Sequence, residues 1–369
     1  MIALHWRSSS FFYSLIGFFL GASICLLLQG GQYRGLGQRM LIYHRRFIGK
    51  VLDLNNKTLA GEISKKVRIL CWILTGRQFH WKRAIHVKTT WGRRCDKLIF
   101  MSSENNTMFP AIDLGVKEGR NHLWAKTKKA LRYVYDNYIN DYDWFLKADD
   151  DTYVIMENLK FMLLSKDPKV PINYGFEFSV KLKYKQNPVL SGGAGYVLSK
   201  AALFKFVTEA LGKSSKCSTR EKGSEDVELA RCLKNVGVIR GDSRDEGGKQ
   251  RFIPVSIDSA FIPQDKQGYW FIKRSKYPFS RNHISNLTIA IHYVNGGMMH
   301  ALEHLLYQAR IYGNEIPISS PEEATKLLEK AREDSEKSSG SEDPMKNLTA
   351  LLDLPTLNDS KSPKTKLIS

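Results

Sequence analysis

The sequence predicts an α/β fold with a mostly parallel central sheet. Three short apolar runs have the pattern of buried strands, namely VRILCWIL (67–74), KLIFMS (97–102) and DWFLKA (143–148). Residues 118–138 carry apolar side chains at helical spacing and lead directly into the third run. Strands that alternate with helices form parallel βαβ units, so these observations favour a sheet with helices packed against it.

Three further elements follow in order along the chain. The segment VLSGGAGYVLS (189–199) holds two apolar runs around a glycine-rich turn, and a helix is predicted from Lys200 onward. Residues 225–235 place apolar side chains on one side of another helix. The run IAIHYV (289–294) predicts a late strand. These elements extend the α/β pattern through one predicted domain, residues 67–312.

Composition limits the class of protein. The chain has 369 residues, 43% of them hydrophobic, with a net charge of +19. It can therefore build a large core, which excludes global disorder and collagen-like or disulfide-scaffold folds. A mean hydropathy of −0.32 and a single long apolar run exclude a polytopic membrane protein. The positive charge raises the question of nucleic acid, but the sequence contains no RNP1 or C₂H₂ module, so we expect no nucleic-acid partner.

The amino-terminal region predicts a membrane anchor. Residues 11–28 contain no charged side chain, and about 20 apolar residues span a bilayer core. We therefore predict a cytoplasmic tail at 1–10, a transmembrane signal anchor at 11–28 and a polar stem at 29–66. A cleaved signal peptide is the alternative. The positive-inside rule alone would put the bulk of the chain in the cytosol, because four arginines follow the apolar run: Arg34, Arg39, Arg45 and Arg46.

Glycosylation sequons and cysteines favour the opposite orientation. Asn-x-Ser/Thr sequons begin at five positions: Asn56, Asn105, Asn286, Asn347 and Asn358. Four cysteines outside the apolar run form two sequence-local pairs, which permits two disulfides in an oxidising compartment: Cys71, Cys95, Cys217 and Cys232. Four buried thiols are the alternative. We expect a type II membrane protein with a lumenal bulk, ending in a polar, flexible tail at 313–369.

An acidic triplet is the sharpest chemical feature. Asp149, Asp150 and Asp151 follow a strongly apolar strand. Adjacent carboxylates repel one another, so such a cluster is costly unless a cation binds there. Ligands of open α/β sheets bind at the carboxyl ends of the strands, and carboxylate oxygens suit Mg²⁺ or Mn²⁺ with a diphosphate. A solvated acidic turn remains the alternative.

Two other features are ambiguous from sequence alone. Glu225 and Asp226 open a predicted helix, where they can be catalytic or can simply complement the helix dipole. His292 lies in the late apolar run, where it can be a core residue or a nitrogen ligand, and a nitrogen ligand favours Mn²⁺ over Mg²⁺. The glycines of 192–195 permit close backbone approach to a ligand but form no dinucleotide or P-loop motif.

The ordered set of motifs resembles the metal-dependent β-1,3-glycosyltransferases of the fringe and β3-galactosyltransferase superfamily. The resemblance covers 67–313 and rests on segments in family order: VRILCWILTG, HVKTTWGRRC, LIFMSSE, KEGRNHLWAKT, DWFLKADDDTYV, SGGAGYVLSKAAL, EDVELARCL, GDSRDEGGK and IHYV. It implies a GT-A fold with a Rossmann-like nucleotide-sugar-binding domain. It also implies Mn²⁺, UDP-galactose as donor and O-linked GalNAc glycoproteins as acceptors. The family is Golgi-resident, type II and lumenal, and a homodimer is compatible with it.

The resemblance also assigns roles to residues. Asp226, in the pair with Glu225, would be the catalytic base, taking a proton from the acceptor 3-hydroxyl in an inverting transfer. Asp151 and His292 would bind the metal, with Asp149 in the same group. The residues assigned to the nucleotide sugar are Thr75, Lys88, Trp91, Lys126, Asp149, Asp150, Gly193 and Ala194.

The chain departs from the family pattern near residue 280. His283 and Ile284 replace an adjacent cysteine pair found in close relatives. Lys273, Arg274 and Lys276 stand in a stretch that is otherwise rich in aromatic residues. Two alternatives therefore stay open: a sibling β-1,3-transferase with another UDP-sugar or acceptor, and a non-catalytic chaperone of the same family. The intact acidic triplet argues against the chaperone.

Overall fold

The computed structural model describes residues 58–182, 185–262, 270–312 and 320–338. These residues belong to two compact units, divided between Gln308 and Ala309, and each is considered by itself. The predicted cytoplasmic tail, the predicted anchor at 11–28 and most of the predicted stem lie outside the described residues. Across the four described ranges, no helix has the length and hydropathy needed to cross a membrane.

Twelve strands occur within the described ranges. They are β1 (Ile69–Leu74), β2 (Lys97–Ser102), β3 (Ala111–Asp113), β4 (Trp144–Asp149), β5 (Tyr153–Val154), β6 (Ile172–Gly175), β7 (Glu177–Leu182), β8 (Lys185–Leu190), β9 (Tyr196–Ser199), β10 (Ile239–Arg240), β11 (Phe252–Ile253) and β12 (Ala290–Ile291).

The α-helices alternate with these strands in the first unit. They are α1 (Leu59–Lys66), α2 (Ile85–Thr89), α3 (Leu123–Tyr138), α4 (Met156–Leu164), α5 (Lys200–Lys205), α6 (Glu225–Asn235), α7 (Ile257–Phe261) and α8 (Gly296–Tyr307). The second unit contains α9 (Pro321–Ser338), which lies inside the range predicted as a polar tail.

The central sheet confirms the predicted fold class. Its seven strands lie in the order β10-β6-β9-β4-β1-β2-β3. Strand β9 runs antiparallel to both of its neighbours, β4 and β6. The other six strands run in one direction. The carboxyl ends of β1 and β4 therefore lie side by side, which is where open α/β sheets bind their ligands.

Strand β1 explains why residues 67–74 form a continuous apolar run. Ile69, Cys71 and Ile73 pack into the core on one face of the sheet. Leu70, Trp72 and Leu74 pack into the core on the other face. Every residue of the strand is buried because both faces are covered, as is typical of parallel sheets.

A second, three-stranded sheet borders the first at the end of β4. Strand β12 pairs in parallel with β11 and antiparallel with β5, so that Ile291 lies opposite Tyr153. Strand β5 begins two residues after Asp151, and β12 ends one residue before His292. The pairing therefore brings two distant parts of the chain to the same place.

Both sequence-local cysteine pairs are disulfides in the structure. Cys71 is bonded to Cys95, with an S–S distance of 2.07 Å. Cys217 is bonded to Cys232, with an S–S distance of 2.02 Å. The first disulfide joins β1 to the residue that follows the 3₁₀ turn Trp91–Arg94, and the second joins the loop before α6 to α6 itself. The alternative of four separate buried thiols does not describe this structure.

Two elements differ in their bounds from those predicted. The predicted strand 289–294 ends at Ile291, because the chain turns at Tyr293, whose φ is +55°. The helix predicted from residue 118 begins at Leu123, because Gly119 has a φ of +111° and a 3₁₀ turn occupies Arg120–His122.

Helix α1 lies inside the range 29–66 predicted as a stem. Ser64 of this helix accepts a hydrogen bond from Lys160 of α4 at 2.6 Å, so the packed region reaches back beyond Val67. An eight-residue helix carries too little periodicity to be recognised, and its stability comes from such tertiary contacts.

A buried carboxylate connects α8 to the rest of the first unit. Glu303 is 4% exposed and accepts hydrogen bonds from Arg93, from Arg94 at 2.7 and 3.0 Å, and from the Tyr153 hydroxyl at 3.0 Å. These donors come from the 3₁₀ turn beside Cys95 and from β5. Glu303 therefore fixes α8, and the segment before it, against β5.

Replacing this carboxylate should strongly destabilise the fold. In Glu303→Gln, Arg93 loses its counter-charge, and Arg94, which also pairs with Glu157 at 3.2 Å, loses one of two. The free energy of unfolding should fall by roughly 3–5 kcal/mol, as is typical when one partner of a buried ion pair is removed. Denaturant titration followed by circular dichroism measures this loss. The matched control is Glu209→Gln, since Glu209 and its partner Lys205 lie at the surface, 44% and 31% exposed, and the pair should contribute about 1 kcal/mol or less. Equal losses in both variants would contradict the role given to Glu303.

Candidate active site

The acidic triplet forms a tight turn at the carboxyl end of β4. The Thr152 amide donates to the Asp149 carbonyl oxygen at 3.1 Å, which closes the turn. The Thr152 hydroxyl accepts from the Asp149 amide at 3.3 Å and donates to the Gly193 carbonyl oxygen at 2.8 Å. The turn and the glycine-rich loop are thus held together by one buried side chain.

Asp149, Asp151 and His292 form a group that could hold a metal ion. Nε2 of His292 lies 3.4 Å from Oδ1 of Asp151 and 4.0 Å from Oδ2 of Asp149. One ligand atom from each of the three side chains lies within 4.8 Å of the other two, and all three side chains are partly accessible. Two carboxylates with one imidazole form a mixed oxygen and nitrogen donor set, which fits Mn²⁺ better than Mg²⁺.

The backbone around His292 is held from several sides. The His292 amide donates to the Ile253 carbonyl oxygen at 3.0 Å, and the Val294 amide donates to the Asp151 carbonyl oxygen at 2.8 Å. Between them, Tyr293 adopts a left-handed conformation that a non-glycine residue rarely takes, and its ring stacks on the imidazole at 3.8 Å. Such strain persists only where surrounding contacts impose it.

Gly193 leaves room for the imidazole. A Cβ atom added at this position would lie 2.0 Å from Cε1 of His292. The neighbouring Gly192 faces the other way, since a Cβ there would lie 2.7 Å from Oε2 of Glu225 and 3.7 Å from Cβ of Asp226. The two glycines therefore separate the candidate metal group from the carboxylates that open α6.

Two basic side chains that were not predicted as site residues lie within the acidic cluster. Lys147 is fully buried and donates to Oδ1 of Asp149 at 2.6 Å and to the Gly192 carbonyl oxygen at 2.9 Å. Burial alone would lower the pKa of Lys147, but Asp149 and Glu225 raise it, so this side chain is a cation. Arg83 lies 3.4 Å from Asp150 and 3.2 Å from Asp151. A lysine inside an apolar strand run was the available signal for the first of them.

The middle carboxylate of the triplet points toward β1 and is 5% exposed. Oδ2 of Asp150 accepts a hydrogen bond from the Thr75 hydroxyl at 2.7 Å. Burial raises the pKa of Asp150 to about 7, against the opposing effects of Thr75 and Arg83. Asp150 thus anchors the turn to β1, while Asp149 and Asp151 face His292.

The end of β1 is joined to α3 by a buried lysine. Nζ of Lys126 donates to the Thr75 carbonyl oxygen at 2.8 Å and to both carboxylate oxygens of Glu118 at 3.0 and 3.1 Å. Lys126 is 3% exposed. Thr75 and Lys126, both predicted at the nucleotide site, therefore lie together at the edge of the sheet that carries the acidic triplet.

The two carboxylates of α6 differ in environment. Glu225 is buried, accepts from the Tyr196 hydroxyl at 2.5 Å, and has its pKa raised by burial to about 7. Asp226 is more accessible and accepts from the Val227 amide at 2.8 Å, and burial raises its pKa too. A partly accessible carboxylate with a raised pKa fits a general base. Glu225 lies behind it, next to Lys147.

The remaining predicted residues differ in exposure and contacts. Ala194 is fully buried in the glycine-rich loop. Lys88 donates to the Met108 carbonyl oxygen at 2.5 Å, and Trp91 has no exposed surface. A side chain with no exposed surface cannot touch a ligand in this conformation, so Trp91 contributes to any nucleotide site only by supporting it. Their assignment to the nucleotide sugar stays a prediction.

Comparison with known proteins identifies the class. The Fringe-like family model matches residues 64–243. A glycoprotein-N-acetylgalactosamine 3-beta-galactosyltransferase 1 from Xenopus laevis is 38% identical over 270 residues, which cover 72% of this chain and 73% of that relative. A beta-1,3-glucosyltransferase from Mus musculus is 27% identical over 49% of this chain and 36% of the relative. Chondroitin sulfate synthase 3 from Homo sapiens is 27% identical over 45% of this chain and 20% of the relative.

With these relatives, the mostly parallel sheet and the acidic site at its carboxyl edge define a glycosyltransferase that uses a nucleotide-sugar donor. More particularly, the chain belongs to the Fringe-like family of β-1,3-glycosyltransferases. The resemblance found in the sequence motifs is confirmed.

Filling the space at Gly193 should weaken metal binding. In Gly193→Ala, the new methyl group would overlap the His292 ring, so the imidazole must move away from Asp151. We expect the Kd for Mn²⁺ to rise roughly 10- to 100-fold, as is typical when groups that orient a metal ligand are disturbed. Free Mn²⁺ measured by electron paramagnetic resonance without donor gives this Kd. The control is Gly247→Ala, where the nearest atom would lie at 3.4 Å. An unchanged Kd in Gly193→Ala would remove His292 from the metal group.

The pH dependence of stability should report the buried Glu225. Its pKa is about 7 in the folded protein and 4.5 for an ordinary glutamate, so between these values the folded state holds a proton that the unfolded state has lost. Stability therefore falls as the pH rises through this window, by at most about 1.4 kcal/mol per pH unit from this group. Glu225→Gln should reduce this fall in denaturant titrations at pH 5, 6 and 7, leaving the part that Asp150, with a pKa of about 7, contributes. The exposed-site variant Glu209→Gln should keep it. A slope in Glu225→Gln equal to that of the parent would contradict the buried, protonated carboxyl.

Proposed function

We propose that this enzyme transfers galactose from UDP-galactose to the 3-hydroxyl of O-linked GalNAc on Ser or Thr of glycoproteins, with inversion at the anomeric carbon. The observation that carries the proposal is the 38% identity over 73% of a relative named for this reaction. The arrangement of one accessible carboxylate beside a candidate metal group supports it, because an inverting transferase needs one base and a means of stabilising the leaving diphosphate.

The donor would bind at the carboxyl edge of the sheet, in a site of the GT-A type. Asp149, Asp151 and His292 would hold Mn²⁺, since their oxygen and nitrogen atoms suit that ion. When bound, the ion would neutralise negative charge on the diphosphate of UDP. Thr75 and Lys126 would line the nucleotide side, and the Gly193–Ala194 backbone would lie beside the sugar.

The chain's own residues supply the remaining chemistry. The Asp226 carboxylate accepts the proton of the acceptor 3-hydroxyl, and that oxygen attacks the anomeric carbon on the side opposite UDP. The new C–O bond forms as the bond to the UDP oxygen breaks, so the configuration inverts. Glu225 and Lys147 position the Gly192 turn against Asp226. A second carboxyl acid is not required, unlike in inverting glycosidases.

We also propose a Golgi location, with a single anchor at 11–28 and a lumenal catalytic domain. The 18 uncharged residues of that segment support an anchor. The paired cysteines and the exposed sequon residues Asn105 and Asn286 support an oxidising, glycosylating compartment.

The decisive experiment is a transfer assay with the purified protein. A GalNAc-Thr peptide, Mn²⁺ and a panel of UDP-sugars should give one product, β-1,3-galactosyl-GalNAc, whose linkage and anomeric configuration are read by NMR. Asp226→Asn should lower kcat by about 10²- to 10⁴-fold, because a positioned base contributes that much.

The matched control is Asp136→Asn, an exposed carboxylate on α3 that should leave kcat unchanged. Transfer from another UDP-sugar only would assign the chain to a sibling specificity. No transfer from any donor by folded protein would favour the non-catalytic alternative. Full activity in Asp226→Asn would remove that residue as the base.

A further inference from the structure

The segment 270–281 forms a surface of aromatic and basic side chains next to the glycine-rich loop. We call it the basic-aromatic surface, and it consists of this segment with Arg240 and Arg244, which pack beside it. It holds the lysines and arginine that interrupt the aromatic-rich stretch of the sequence. The catalytic scheme uses none of these side chains.

Backbone hydrogen bonds connect this surface to the active site. The Phe176 carbonyl oxygen accepts from the Ser191 amide at 2.8 Å, and Ser191 directly precedes the Gly192 turn beside Asp226. One residue further along, the Glu177 carbonyl oxygen accepts from the Lys276 amide at 3.1 Å. The surface is therefore held at the base of the β7–β8 hairpin, where β8 runs into the site.

Aromatic side chains fix the shape of this surface. Phe178 of β7 is buried and packs edge-on against Trp270 at 5.8 Å. Trp270 is 55% exposed, and the guanidinium of the exposed Arg274 lies 5.4 Å from the centre of its ring. On the other side, the Arg244 guanidinium lies 3.4 Å from the centre of the Tyr277 ring. Stacked cations of this kind keep their charge in a defined position.

The charge of the surface is strongly positive. The cations of the surface are Arg240, Arg244, Lys273, Arg274, Lys276 and Arg281, and two adjoining carboxylates, Glu177 and Asp242, pair with three of them. Glu177 is nearly buried and is shared by Arg240 at 3.2 Å and Lys276 at 3.0 Å. Asp242 is paired with Arg244 at 2.7 Å. Both carboxylates are thus paired with cations of the surface, and the further positive charge on its exposed side comes from Lys273, Arg274 and Arg281.

We propose that the basic-aromatic surface binds the peptide portion of the acceptor and favours acidic residues close to the glycosylated Ser or Thr. This inference rests on the proposed function. In the proposed function the donor diphosphate binds at the candidate metal group, and GalNAc and galactose are uncharged, so the peptide is the part of the acceptor that brings negative charge to these cations. Exposed ion pairs are individually weak, so the preference is a modest one that salt screens over about 8–10 Å.

The test compares three acceptors: a GalNAc-Thr peptide with two flanking Asp residues, the same peptide with Asn in their place, and a simple GalNAc glycoside without peptide. We expect kcat/KM for the acidic peptide to exceed that for the neutral one by about fivefold at low salt. The excess should disappear at about 1 M NaCl, where the screening length falls to about 3 Å.

Charge reversal at one exposed residue locates the effect. Arg274→Glu should abolish the preference for the acidic peptide while leaving the rate on the simple glycoside unchanged, and Arg274→Gln should reduce the preference to an intermediate value. The matched control is Arg132→Glu on the outer face of α3, where the side chain is 57% exposed. This control makes the same change in net charge and should keep the preference.

The outcomes separate this inference from the proposed function. Equal use of the acidic and neutral peptides by the parent protein, with normal transfer, overturns the inference and leaves the function standing. An equal loss of preference in Arg132→Glu would attribute the effect to overall charge and also overturn the inference. No transfer to any of the three acceptors overturns the proposed function itself.

Discussion

The short antiparallel pairing of β5 with β12 is the interaction on which the active site depends. It sets Ile291 opposite Tyr153, and the Val294 amide then bonds the Asp151 carbonyl oxygen at 2.8 Å. Two carboxylates from the end of β4 can face His292 only while this pairing holds. Glu303 stabilises the pairing of β5 with β12. It accepts a hydrogen bond from the Tyr153 hydroxyl of β5, and its helix, α8, begins shortly after His292. A pairing of two residues per strand would be weak alone, so the buried ion pairs around α8 stabilise it.

The pKa values of the site follow from how closely its carboxylates lie to one another. A cluster of carboxylates at the end of a buried strand is unfavourable unless positive charge is close. The chain provides some of that charge itself, from Lys147 below the cluster and Arg83 at its open side. The two carboxyls that point into the protein, Asp150 and Glu225, have raised pKa values, whereas the pKa of Asp151 is lowered by His292, Arg83 and Lys147 against the effect of burial. The Asp151 carboxylate, which faces His292, therefore stays charged.

Local sequence patterns predicted several of the strands and helices of the first unit. Continuous apolar runs identified β1, β2 and β4 because both faces of a parallel sheet are buried, and helical spacing identified α6 with the bounds that the structure shows. The contacts between distant segments could not be predicted from such patterns. The sequence does not show that Gly193 faces His292, that Trp91 is fully buried, or that Lys147 serves as a buried counter-ion. Family resemblance supplied the pairing of the acidic triplet with His292, which no periodicity could reveal.

The order of these elements along the chain has a consequence for biosynthesis. Tyr153 and Glu303 are 150 residues apart, and His292 lies near the carboxyl-terminal end of the first unit. During translation, the central sheet can assemble while the last ligand is still inside the ribosome. The candidate metal group is therefore completed late, after nearly the whole unit has emerged. A nascent or truncated chain that ends before β12 carries the acidic turn without His292, so the candidate metal group is complete only when the domain is complete.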